Sequence, residues 1–211
     1  MIEAAARHRL PARVLWLDIP LAQAQINVVE RLLERFGSLP DPEQLRAFAR
    51  TEPGVLAPTS QMRALRELEP PSPDEGWSAV ERVEFVRMPR TGAVGGGLLV
   101  AAAAAEVPGL LEQGDPEAPH LVFDWSDGGD RDRLERAVAI VASRVSGPVE
   151  GALCPHPAGP PICWCRPPLP GLPLAYARAR ELDPARSVLI GSGPAHRTLA
   201  SSLGARYLGE G

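Results

Sequence analysis

Aromatic side chains are scarce in this 211-residue chain, at 5%. That leaves no evident set of rings on which the bases of a single strand could stack. Positive charge is not in excess either. A net charge of −4 and a pI near 5.6 argue against a globally basic grip on nucleic acid, although a local basic patch stays open. No apolar run reaches the roughly 20 residues that cross a bilayer. Met1 leads into Glu3, Arg7 and Arg9 with no apolar signal-peptide stretch before them. Together these absences predict a cytoplasmic chain with no membrane partner. No Gly-x-x-x-x-Gly-Lys-Ser/Thr phosphate loop occurs, and the Gly92 to Gly97 stretch has no lysine and precedes a strand instead of following one.

Cysteine is also rare, yet all three cysteines fall within twelve residues beside a histidine, as Cys154-Pro-His156 and Cys163-Trp-Cys165. A tetrahedral zinc site takes four thiolate or imidazole ligands, and two such pairs joined by a Pro/Gly-rich loop can wrap one ion from two sides. The alternatives are a disulfide, which would strand one cysteine, or three buried thiols. A complete set of four leaves no open position for water or substrate, so the expected cofactor is structural Zn²⁺, not a catalytic one.

The 45% apolar content suffices for real cores, and 24 prolines and 20 glycines punctuate the chain heavily. Ala4 to Arg9 reads as a helix tail and Arg13 to Asp18 as a strand of the kind buried in a parallel sheet. A helix runs from Pro20, with Leu21, Ala24, Val28, Leu32 and Leu33 on one face, to Gly37, and Asp41-Pro42-Glu43 opens the next. Residues 70 to 90 read as a proline-rich linker with a half-exposed strand over Val80 to Val86. From Gly96 strands and helices alternate: strands at 98–100, 121–123, 149–153, 187–191 and 206–208, helices at 131–145, 172–182 and 194–203. The fold class expected is α/β with a parallel sheet covered on both faces. The boundary is placed near Arg90, giving segments 1–90 and 91–211.

The stretch from Cys154 through Cys165-Arg166-Pro-Pro-Leu-Pro-Gly171, followed by Ser187-Val-Leu-Ile-Gly191, resembles the zinc-loop branch of the haloacid-dehalogenase-like phosphatases. Histidinol-phosphate and heptose-bisphosphate phosphatases belong to that branch, and the likeness covers roughly residues 96 to 208. The first half, with Val14-Leu-Trp-Leu-Asp18, Pro20-Leu, Asn27, Arg31, Leu68-Glu-Pro-Pro71 and Glu75-Gly-Trp77, is similar to the C-terminal part of a polynucleotide-kinase-type P-loop domain. The two resemblances imply a Rossmann-like phosphatase domain preceded by a partial kinase-like segment, as in nucleic-acid end-healing enzymes. They imply nucleotide-phosphate contacts for Arg31 or Arg35, where the bland alternative is a pair of solvated helix arginines. ATP and Mg²⁺ follow only if a phosphate loop lies upstream of Met1.

Where the phosphatase family does its chemistry, this chain departs from it. The nucleophile and the acid/base two residues later fall on Ala101 and Ala103. The hydroxyl after the second strand falls on Phe123, the lysine of the Cys-Arg-Lys-Pro run on Pro167, and the acidic Mg²⁺ ligands on Ser192 and His196. Alanine can neither attack phosphorus nor carry a proton, and no Asp lies between Val94 and Gly114. The catalytic set is expected to be eroded, which makes a pseudoenzyme, scaffold or binding module, with nucleic-acid ends or a protein as partner. Two rivals stay open: an active end-processing enzyme completed by an upstream phosphate loop, and a phosphohydrolase using Asp124, Asp127, Asp130 and Asp132. The same aspartates also read as a polar turn with an N-cap and favourable charge at a helix start. Arg166, Arg178 and Arg180 are candidates for a local basic contact with nucleic acid. His8, His120 and His196 read as ordinary surface or loop residues.

Overall fold

The computed structural model describes residues 2–88, 92, 93 and 95–209. After a short helix α1 (Ile2–Arg7), strand β1 (Arg13–Asp18) leads into helices α2 (Leu21–Phe36), α3 (Pro42–Thr51) and α4 (Pro58–Glu67), and then strand β2 (Ala79–Glu84). The second series is β3 (Leu98–Ala101), β4 (His120–Trp125), α5 (Asp132–Ala142), β5 (Val149–Cys154), α6 (Gly171–Ala179), β6 (Val188–Ile190), α7 (Pro194–Leu203) and β7 (Arg206–Leu208).

Local chemistry explains the helix ends. Gly37 adopts φ 75° and its N–H returns to Leu33 O, a left-handed stop that a side chain would strain. Asp41 caps α3 by accepting from Glu43 N and Gln44 N at 2.8 Å each, while the Gln44 side chain accepts from Asp41 N at 3.0 Å. Such a reciprocal box is worth about 1 kcal/mol. Helix α4 goes beyond the elements expected from the sequence.

The larger sheet is all parallel, in the order β5-β4-β3-β6-β7. Leu98, Val100, Val122 and Ile190 pack on one face with α5. Leu99, Ala101, Leu121, Phe123 and Leu189 pack on the other with α2, α6 and α7. Strands added outward on the β4 side cross one face and those on the β6 side cross the other, so the order reverses between β3 and β6. Ligands of open α/β sheets bind at the carboxyl ends of strands at such a reversal.

The glycine run before β3 has a steric reason. A Cβ on Gly96 would stand 2.0 Å from Arg186 O, and one on Gly97 would stand 1.9 Å from Pro119 O. The chain enters the sheet through a gap that admits only backbone.

The first strand pair corrects the expectation for β1. β1 and β2 form a separate two-stranded parallel sheet, in register from Arg13↔Ala79 to Asp18↔Glu84. Leu15 and Leu17 are each 63% exposed, not buried. Only the alternate residues Val14, Trp16 and Asp18 are half-buried, because a pair of strands has too few neighbours to cover both faces. The tail of β2 is fastened to α2 instead. Arg87 donates to the side chains of Gln23 (2.7 Å), Asn27 (2.6 Å) and Glu30 (3.0 Å), which follow one another along one helix stripe.

The proposed boundary at Arg90 lies outside the described residues. Helices α2 and α3 share one core with the larger sheet through Ile26, Val29, Leu32, Leu33 and Leu45. Among the described residues no helix is long and apolar enough to cross a membrane.

Candidate metal centre and strand-end cleft

β5 is paired along its length with β4 and ends at Cys154, opposite Trp125 and fully buried. The chain then leaves the sheet as a Pro/Gly loop that carries His156 outward and brings Cys163 and Cys165 back. Cys154 Sγ lies 3.7 Å from Cys163 Sγ, 3.1 Å from Cys165 Sγ and 3.5 Å from His156 Nδ1, and His156 Nδ1 lies 3.2 Å from Cys165 Sγ. All four ligand atoms fall within 4.8 Å of one another. Zinc bonds of about 2.3 Å to sulfur and about 2.0–2.1 Å to nitrogen put neighbouring ligand atoms of a tetrahedron roughly 3.5–3.8 Å apart. The cluster is therefore consistent with a zinc site, and none of the three cysteines is in a disulfide.

The electrostatics of the bare thiols point the same way. Cys163 is pulled down to about 2, first by a hydrogen bond from Cys154 and then by one from Cys165. Cys154 is pushed up to about 11, chiefly as the donor to Cys163, and Cys165 is pushed further up by its contacts with Cys154 and Cys163. Three sulfurs this close cannot all ionise unless a cation shares them.

Further contacts hold the loop. Trp125 Nε1 donates to His156 O at 2.8 Å. The Arg166 guanidinium donates to Pro157 O at 2.8 Å and to Gly159 O, and stands over the Trp125 ring at 5.6 Å. Trp164, between two ligands, turns into the core and donates from Nε1 to Leu56 O at 3.0 Å. A cis peptide joins Pro167 to Pro168.

Beside this loop, at the carboxyl ends of β3, β4 and β6, lies a cleft of about 430 Å³. Ala101, Ala103, Phe123 and Pro167 all line it, as does His196. Five of the six positions at which the phosphatase resemblance expects catalytic residues thus line one cavity, while the sixth, Ser192, touches it indirectly. Ser192 N donates to His196 Nδ1 at 3.2 Å, and that imidazole stands edge-on to Phe123 at 5.7 Å. Burial pulls the His196 pKa down, with Asp124 opposing it, and Nδ1 as an acceptor requires the neutral ring. Gly191 makes room, since a Cβ there would stand 2.4 Å from the His196 Cβ.

The four aspartates do not gather around one point. Asp124 faces inward with both oxygens engaged: Arg133 donates to Oδ2 at 2.7 Å and to Oδ1 at 2.6 Å, and Trp125 N donates to Oδ1 at 2.8 Å. Asp127 accepts from Ala158 N at 3.4 Å and Asp130 from Asp132 N at 3.0 Å. Residue Arg131 occupies the cap of α5 and makes no side-chain cap bond, so the expected aspartate N-cap is replaced by this Asp130 contact.

Arg31 and Arg35 sit one turn apart on α2, lining a smaller cleft of about 230 Å³ with Pro53, Gly54 and Val55. Arg35 is paired with Glu52, while Arg31 donates to Asn27 O at 3.2 Å. Arg180 pairs with Glu150, so of the three C-terminal arginines Arg166 alone lines the larger cleft.

His120 corrects its expected surface placement, for it is fully buried at the start of β4. Its Nδ1 accepts from Leu98 N at 3.1 Å and Nε2 donates to Pro116 O at 3.4 Å. An imidazole here satisfies two backbone groups at the sheet entrance that would otherwise be orphaned. Arg133, Trp164 and Arg87 escaped the sequence reading because their partners lie on other elements. No spacing rule links Asp124 to Arg133 or Trp164 to Leu56.

Comparison with known protein families, with curated proteins and with solved structures found no match to the chain.

Proposed function

We propose that this chain is a zinc-stapled, catalytically silent α/β domain of the haloacid-dehalogenase-like type, joined to the rear part of a polynucleotide-kinase-like segment. In this reading it serves as a scaffold or binding module. The observation that carries it is the make-up of the strand-end cleft. Where phosphoryl transfer needs an attacking carboxylate and Mg²⁺ ligands, the cavity presents methyl groups of Ala101, Ala102 and Ala103. Its one carboxylate, Asp124, is closed by Arg133 and a backbone N–H. The 22 basic residues of the chain are all arginine, so no lysine within it could hold a phosphoryl group as a P-loop or phosphatase lysine does.

The zinc reading draws support from the donor set: three thiols and one imidazole, soft and borderline ligands, fill a tetrahedron and leave no position for substrate. Bound there, the ion supplies folding free energy to the loop from Leu153 to Pro170 and takes no part in turnover.

Two measurements on the purified chain test this. Metal analysis is expected to return about one zinc per chain, consistent with a single four-ligand site. Incubation with a generic phosphomonoester and Mg²⁺ is expected to give no hydrolysis. Turnover that Asp124→Asn abolishes would overturn the silent-domain reading in favour of the aspartate cluster.

A further inference from the structure

The strand-end cleft offers its ligand hydrogen-bond donors and almost no free side-chain acceptor. Asp124 has spent both oxygens internally. Its charge and that of Arg133 cancel. His196 is neutral, because Nδ1 accepts from Ser192 N, which leaves Nε2–H as a donor. Arg166 is different. It is held by the carbonyls of Pro157 and Gly159 and stacked over Trp125, all uncharged partners, and no carboxylate pairs with it among the described residues. Two of its five N–H groups are engaged, so the rest are free.

Apart from these groups the lining is apolar: the methyls of Ala101, Ala102, Ala103 and Ala195 and the ring of Phe123. A volume of about 430 Å³ is at the small end of ligand cavities. We propose that this cleft binds a small monoanionic carboxylate with an apolar body, its carboxylate on the Arg166 guanidinium and its body against the alanine wall. Charge separates this ligand from a phosphate ester. One uncompensated guanidinium balances one negative charge, whereas a phosphomonoester carries about 1.5 to 2 at neutral pH. The inference rests on reading the cleft as a binding site that does not turn over its ligand.

Isothermal titration of the zinc-loaded full chain, without Mg²⁺ at pH 8, with sodium benzoate and separately with sodium phosphate, tests it. Benzoate is expected to bind saturably and at least about tenfold more tightly than phosphate, the scale of one lost charge-assisted contact. Arg166→Gln is expected to weaken benzoate by a similar factor. Because Arg166 also ties the metal loop, Ala195→Leu provides a second arm, filling the cleft from an exposed helix position and removing benzoate binding without lowering the melting temperature. Phosphate binding as tightly as benzoate, no saturable benzoate binding, or benzoate binding indifferent to both substitutions would each overturn the proposal. Hydrolysis of a phosphomonoester would sink the silent-domain reading alone and leave the order of affinities as its own result.

Discussion

The indole of Trp164, held between two metal-ligand cysteines, donates to the backbone oxygen of Leu56, 108 residues away in sequence. The metal loop and the connection between α3 and α4 are thereby one mechanical unit, and Leu39, from the connection between α2 and α3, packs against the cysteines as well. Trp164 is only 2% exposed, so its replacement leaves a gap and an unpaired carbonyl. Trp164→Phe is expected to cost about 1–3 kcal/mol, the penalty of an orphaned buried acceptor plus lost volume. Thermal melting should fall by several degrees, and hydrogen exchange should rise at residues 55–57 before it rises in β3. Unchanged exchange at 55–57 would show that the indole bond carries no coupling.

Removal of the ion acts on the same unit from the other side. Zinc affinity becomes folding free energy because the four ligands come together only in the folded chain. Cys163→Ser, or treatment with a strong chelator, is expected to lower the melting temperature and loosen Leu153 to Pro170. Equal melting temperatures with and without chelator would rule out a structural role for the cluster.

The ligand set was readable because metal chemistry writes itself locally: two short Cys/His pairs in one loop leave few other meanings. The alternating elements after Gly96 were readable for a similar reason, since runs such as Leu98–Val100 and Leu121–Phe123 are buried on both sides and show unbroken apolar stretches. β1 misled on the same rule. Its run Val14 to Leu17 has the composition of a buried strand, yet burial depends on what stacks against it, and the β1–β2 pair leaves Leu15 and Leu17 in solvent. His120 was misplaced because a lone histidine carries no periodicity, and only the tertiary meeting with Leu98 and Pro116 reveals its role. Asp124 and Arg133 are nine residues apart across a turn, and their pairing depends on how that turn folds back.

His120 makes stability depend on pH in a stated direction. Burial lowers its pKa below the ordinary 6.5, against weaker opposing contributions from the Pro116 carbonyl and Asp115. Between the folded value and 6.5 the unfolded chain therefore binds more protons, and stability rises with pH. The contribution is complete above about pH 6.5 and is lost as pH falls below it, at up to about 1.4 kcal/mol per pH unit for one proton. Chemical denaturation at several pH values, wild type against His120→Gln, should show a shallower acid limb in the variant. His196 has the same sign, so the difference between the two curves isolates His120. Parallel curves would show that the buried imidazole is not the group responsible.

Asp124 and Arg133 are expected to be coupled, but modestly. The carboxylate side chain is 9% exposed and the guanidinium 53%, so solvent screens one partner and not the other. Removing the arginine strands a buried anion, which is the costly direction; removing the aspartate releases a cation that water can take up. Arg133→Ala should therefore destabilise more than Asp124→Ala once the lost packing is subtracted, and a double-mutant cycle should return a coupling of about 1–2 kcal/mol. The asymmetry separates a structural clasp from a spare catalytic carboxylate. A clasp predicts that Asp124→Asn, which keeps the shape and one acceptor oxygen, retains more stability than Arg133→Ala. If instead Asp124→Asn raised stability, the charge would be a strained feature kept for chemistry, and the closed-off reading of the cleft would fail with it.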